Sequence, residues 1–152
     1  MSSLRQPSTL AWIVVHLGYP LLPVALEGGI RYLTLKSHLD LDTMNSATLA
    51  MSVGLVAIFV NQSIRADEGG VADEIEEDSR NGACTFFSAL AIIFFALFAV
   101  IVLLQALVID RGLDPLREVL TAFQWVAIMA SMLPIVAAIA AQRTYKLRAA
   151  LA

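Results

Sequence analysis

The sequence predicts an all-α integral membrane protein, a four-helix bundle assembled into a homo-oligomer, and three observations carry that reading. Four apolar stretches fill most of the 152 residues, each close to the roughly 20 residues that a helix needs to cross a hydrocarbon core about 30 Å thick. Apolar residues make up 59 % of the chain and charged residues only 15 %, a balance outside that of ordinary soluble domains. The one long hydrophilic interruption, Arg65 to Arg80, gathers seven carboxylates (Asp67, Glu68, Asp73, Glu74, Glu76, Glu77 and Asp78) against two arginines. The chain carries −3 and this segment alone −5, so the rest is about +2 and the acidity is local.

A single transmembrane domain is expected, with spans at about 10–26, 47–64, 84–109 and 119–141 and an acidic segment at 65–80. Basic residues near span ends orient such proteins. With four spans, Arg5, Arg65, Arg80, Arg143, Lys146 and Arg148 share one side with both termini, against Arg31, Lys36, Arg111 and Arg117 on the other. Both termini and the acidic segment are therefore expected in the cytoplasm. The first apolar run is expected to stay as a span and not to be cleaved as a signal peptide, because Pro20 and Pro23 interrupt it and no small-residue cleavage site follows.

Span one is the least regular. Pro20 and Pro23 cannot donate to the carbonyls of His16 and Tyr19, so the helix is expected to kink or open there. His16 and the freed carbonyls either line a conducting or hinged section or simply shape packing. Glu27 and Arg31 are spaced to pair at the outer interface, Gly28-Gly29 is expected to end the helix, and Leu33 to Asp42 alternates like a short extended or interfacial loop.

Span two carries small residues on one face, with Ser46, Ala50, Gly54, Ala57 and Asn61 at steps of three and four. Lipid gives helices no hydrophobic drive to associate, so such a face matters by letting backbones approach. It is the strongest candidate for a helix interface, with Asn61 and Gln62 at its inner end. Span three holds five of the seven phenylalanines. Its smaller face, Thr85, Ala89, Ile92, Ala96 and Ala99, is expected to leave much of the phenylalanine surface for lipid or a neighbouring subunit. Cys84 reads as a packing residue. Span four opens with Asp114 placed as N-cap and Pro115 at the first helical position. Gln124, Ala127, Ser131, Pro134, Ala138 and Ala141 form a second small-to-polar stripe, with Ser131 placed to compensate the Ala130 carbonyl that Pro134 leaves unbonded. Trp12, Trp125 and Tyr145 fall near span ends, where interfacial anchors sit.

Much chemistry is missing. There is no HExxH, Walker loop, GxSxG or CxxC, so enzymatic activity is not expected. Only His16 is an ionisable residue well inside a span, which demotes coupled transport; a small transporter using His16 is the third reading. The acidic segment lacks the alternating ligands, central glycine and terminal glutamate of an EF-hand, and one cysteine excludes a multi-cysteine site. No cofactor, metal ion or nucleic-acid partner is expected. The acidic segment reads three ways: a solvated turn running into a short helix, a collar that concentrates cations at the mouth of a path, or a docking surface for a cytosolic protein. The basic tail suits anionic inner-leaflet lipid and equally satisfies the orientation bias alone.

The leading expectation is an oligomeric, channel-like or pore-forming effector whose path lies at the oligomer axis or between subunits. His16, Pro20, Pro23, Asn61, Gln62, Ser131 and Pro134 are its pore or hinge candidates. In layout the whole chain resembles the small four-span membrane effectors of bacterial antiphage systems, although no diagnostic motif is shared and no residue role carries over. That resemblance implies a bacterial inner membrane, depolarisation on a signal, and sensing by a separate cytosolic partner. The competing expectation is a non-conducting anchor or scaffold that recruits a cytosolic protein through the same collar.

Overall fold

A computed structural model describes residues 9–35, 45–66, 74–145 and 147. Among these every regular element is helical, and four helices are long and apolar enough to cross a membrane. Span one comprises α1 (Thr9–Ile13), a π-helical turn (Val14–Gly18) and α2 (Tyr19–Leu35). Span two is α3 (Ser46–Ala66), span three α4 (Glu74–Asp110) and span four α5 (Arg117–Tyr145). The chain runs up and down, which separates a termini end, where α3 stops and α4 begins, from a hairpin end, where α2 passes to α3 and α4 to α5.

The spans are not equivalent. α3, α4 and α5 pack against one another as a triad, while α2 packs on the outer side of α3. In their most apolar stretches, 56 % of span two is buried inside the chain but only 17 % of span one. The small face explains this: Ser46, Ala50, Gly54 and Ala57 are all buried, beside Val53, Val56 and Val60. A Cβ added at Gly54 would stand 3.3 Å from the Phe95 ring, so the missing side chain is the space the ring takes. The stripe is thus a helix interface, as its spacing suggests, but one within the chain. The stripe on α5 meets the same fate, with Ala127, Ser131, Pro134, Ala138 and Ala141 buried. Neither is left as a free surface for self-association, because inside a single chain each already meets a partner of complementary bulk.

Span three reverses the expected facing. Phe87 and Phe94 are buried and Phe95 and Phe98 partly so, whereas Thr85, Ala89, Ile92, Ala96 and Ala99 are exposed. The small face of α3 leaves room beside its buried valines, and rings of α4 turn inward to fill it.

Three boundaries differ from expectation. Gly28-Gly29 does not end span one, since α2 continues through it to Leu35 and takes in the start of the expected loop; neither glycine has side-chain atoms near it. Glycine is tolerated in membrane helices because leaving the helix would strand backbone groups in lipid. Asp114 does not cap a helix. It lies inside a 3-10 turn, Asp114–Leu116, and its carboxylate takes Arg117 Nη2 at 3.2 Å instead of a backbone N–H. Before it Gly112 adopts a left-handed conformation (φ +63°) and Leu113 an inverse γ-turn, with Asp114 N–H bonded to the Gly112 carbonyl. Finally, Trp12 is fully buried and not an interfacial anchor; Trp125 is exposed.

α4 is the longest element. At 1.5 Å per residue its 37 residues measure about 55 Å, well beyond a bilayer core. Its first turns hold Glu74, Glu76, Glu77 and Asp78, so this part of the acidic segment is a helical extension of span three. Asp67, Glu68, Asp73, Gly69-Gly70, Val71, residues 36–44, Arg5, Lys146 and Arg148 lie outside the described residues.

The Gly54 contact makes a prediction. Gly54→Leu drives a branched chain into the Phe95 ring and should lower unfolding free energy in micelles by about 1–3 kcal/mol. Gly28→Ala, with open space around it, should be neutral or stabilising by up to about 1 kcal/mol. Equal effects at the two sites would contradict the packing of α3 described here.

Candidate functional site

Several polar side chains meet across helices towards the termini end. Trp12 Nε1 donates to Ser63 Oγ at 3.0 Å, tying span one to α3. One turn along, His16 is buried and lies 3.0 Å through Nδ1 from the Trp12 carbonyl oxygen. A carbonyl only accepts, so Nδ1 carries the proton and the neutral ring is the Nδ1–H tautomer. The imidazole also stacks on the Trp12 indole, with centroids 4.7 Å apart and planes 11° from parallel.

The π-turn around His16 has a readable cause. In an α-helix the Pro20 ring would press on the carbonyl of His16, four residues back. The chain widens instead, and Tyr19 N–H reaches five residues back to the Val14 carbonyl. Helix geometry then resumes through Pro20, which is buried, and Pro23, which is exposed. The expected irregularity of span one is therefore a wide turn upstream of the prolines, at His16 itself. Single π-turns inside helices occur often at functional positions.

Asn61 joins the same level. Its Nδ2 donates to Ser88 Oγ at 2.9 Å across the α3–α4 contact, while its Oδ1 is buried with no donor among the described residues. Asn61 thus serves a contact within the chain, and Gln62, next to it, is exposed. Ser131 lies deeper, buried on α5, and its hydroxyl donates to the Ile128 carbonyl at 2.6 Å. That is a different carbonyl from the Ala130 oxygen expected to need it, because the serine rotamer reaches back along its own turn. Pro134 is buried in the α5 interface without interrupting the helix.

The beginning of α4 folds onto the end of α5. Tyr145 Oη donates to the Ser79 carbonyl at 3.1 Å and lies 2.9 Å from Ser79 Oγ. Glu77 and Asp78 just before this clamp are exposed, and Arg143 on α5 is exposed too. The link between the acidic turns and the C-terminal helix therefore runs through a tyrosine.

One position escaped the sequence reading. Asn45 caps α3, its Oδ1 accepting the N–H groups of Ala47 and Thr48 at 3.2 and 3.4 Å. Its Nδ2 donates to Glu27 Oε1 at 3.0 Å and so clamps the hairpin end of α2 to α3. The signal was present, an asparagine immediately before an apolar helical run, but the spacing of Glu27 and Arg31 drew attention to a pair within one helix. Among the described residues no group of three histidine, cysteine or acidic side chains is placed to hold a metal ion.

These positions divide the candidates. Trp12, His16, Asn61, Ser63 and Ser88 sit within the termini half of the bundle, whereas Ser131 serves α5 alone and Gln62 faces outward. No protein family, curated protein or solved structure matches the chain.

The Asn45 clamp is testable by unfolding in micelles. Asn45→Ala should lose about 1 kcal/mol or more, and Asn45→Ser, which retains a cap but not the reach to Glu27, should lose less. Asn45→Asp sets a carboxylate against Glu27 and should be the worst of the three unless combined with Glu27→Gln. Wild-type stability of Asn45→Ala would refute the clamp.

Proposed function

We propose that the protein is a homo-oligomeric, channel-like membrane effector of a bacterial inner membrane, with its path between subunits and its termini end in the cytoplasm. The observation that carries this reading is the closure of the single subunit. Both small-residue stripes, the buried His16 and Ser131 and the half-buried Asn61 are taken up in contacts within the chain. Permeation is accordingly assigned to boundaries between copies. The surface free to form such boundaries includes the outward face of α4, where Thr85, Ala89, Ala96 and Ala99 are exposed along one long helix. An apolar lining conducts when it is wide enough to stay wet and gates when it narrows. The acidic residues around the start of α4 then surround the cytoplasmic mouth and concentrate cations there. In an antiphage setting, a cytosolic partner bound to this acidic segment supplies the signal to permeabilise the membrane.

One observation favours the second reading, a non-conducting anchor or scaffold that recruits a cytosolic protein. The exposed side chains of α4 from Phe86 to Leu103, and of α5 from Ala122 to Ala140, are all aliphatic, aromatic or methionine. Such a surface also suits plain immersion in lipid.

Ion flux from liposomes separates the two. The purified oligomer, alone or with its cytosolic partner, is expected to leak monovalent cations in preference to anions. Neutralising Asp73, Glu74, Glu76, Glu77 and Asp78 together should move the reversal potential under a salt gradient towards zero. Absence of any leak refutes conduction, and an unchanged reversal potential removes the acidic segment from selectivity.

A further inference from the structure

We propose that His16 is a proton-binding site whose occupation releases residues 9–18 of span one from α3, with the π-turn as the joint. The proposal holds whether or not an assembly of subunits conducts ions.

The binding atom follows from the geometry. Nδ1–H is committed to the Trp12 carbonyl, so the remaining basic atom of the ring is Nε2, which has no bonded partner among the described residues. A backbone bond at one ring nitrogen fixes the tautomer and leaves the other as the acceptor. Protonation therefore adds a positive charge and one N–H donor without disturbing the existing bond.

Among the described residues of the elements packed against it, that charge meets no counter-ion. α1 carries no ionisable residue. On α2 the first ionisable residue is Tyr19, exposed, and the first acid is Glu27, eleven residues along and engaged by Asn45 at the hairpin end. On α3 the sole ionisable residue is Arg65, of the same sign as an imidazolium and exposed two positions beyond Ser63. Attraction to the stacked indole offsets part of the desolvation but supplies no acceptor for Nε2–H. The new cation is relieved by reaching water at the nearby termini end, and the stack carries Trp12 with it.

The fold supplies a compliant joint for that movement. Among the described residues, α1 lies upstream of the joint, and the side-chain bond from Trp12 to Ser63 ties this lever to α3. Downstream, Pro20 and Pro23 donate no backbone bonds across the turn. Bending is easiest where the helical ladder already lacks donors.

The test uses the whole chain in nanodiscs. The chain holds two histidines and two tryptophans, so His38→Gln with Trp125→Phe leaves one of each to observe. Nitrogen NMR of the imidazole at neutral pH should show a protonated Nδ1 and a bare Nε2. On acidification from about pH 8 to 4.5, the range that histidines commonly span, Nε2 should take up a proton reversibly. Trp12 emission should shift to longer wavelength along the same titration. His16→Phe keeps an aromatic stack and removes the titrating group, so its emission should not respond to pH; His16→Gln serves instead if the phenylalanine variant loses its helical circular dichroism. The proposal is overturned by the opposite tautomer at neutral pH, by no uptake at Nε2, by uptake with unmoved Trp12 emission, or by a shift that persists without His16.

Discussion

Close approach of α3 to its neighbours is the constraint on which the rest of this structure depends. In lipid, apolar helices gain nothing simply from meeting, and what holds them is the density of contact that small residues permit. At Gly54 α3 presents no side chain, so its backbone lies close enough for the Phe95 ring to occupy the space a side chain there would take. The facing of α4 follows from this, since the rings that fill the core must come from somewhere. Span one has less contact; it rests on the outer side of α3 and is tied to it by polar bonds, Trp12 to Ser63 near its start and Asn45 to Glu27 midway along α2.

Those bonds also locate what is chemically distinctive. An unsatisfied polar group in a membrane interior costs several kcal/mol, so a partner for at least one polar atom of each of the tryptophan, histidine and asparagine side chains lowers the cost of placing them there. Trp12, His16 and Asn61 each find one towards the termini end. The same end carries the acidic turns of α4, held to α5 by Tyr145. The π-turn, these three polar contacts and the acidic turns of α4 thus share one end of the bundle, while the Asn45–Glu27 clamp and the Asp114–Arg117 pair mark the other.

Much of the fold was legible in the sequence, because span length and apolar composition depend on the bilayer and not on tertiary detail. The small-residue spacing on spans two and four identified real helix interfaces, and the proline pair pointed to an irregular span one. What spacing could not convey was the partner. A stripe such as Ser46-Ala50-Gly54-Ala57 reads the same whether it meets another subunit or another helix of its own chain, and only the complementary rings of α4 decide between them. Gly28-Gly29 misled because glycine breaks helices in water more readily than in lipid. Asp114 misled because its carboxylate had a nearer partner in Arg117. The π-turn at His16 lay beyond reach, since widening the turn and bending the helix are alternative answers to the same proline.

The central claim is that the small face of α3 is satisfied by α4 of the same chain. Its most direct test is oxidative cross-linking of Asn61→Cys with Ser88→Cys in a Cys84→Ala background. These positions replace two side chains that touch across the α3–α4 contact. The structure predicts a disulfide within one chain, formed to the same extent at every protein concentration and giving a monomer of altered mobility. Disulfide-linked dimers that increase with concentration, with no intramolecular product, would contradict it.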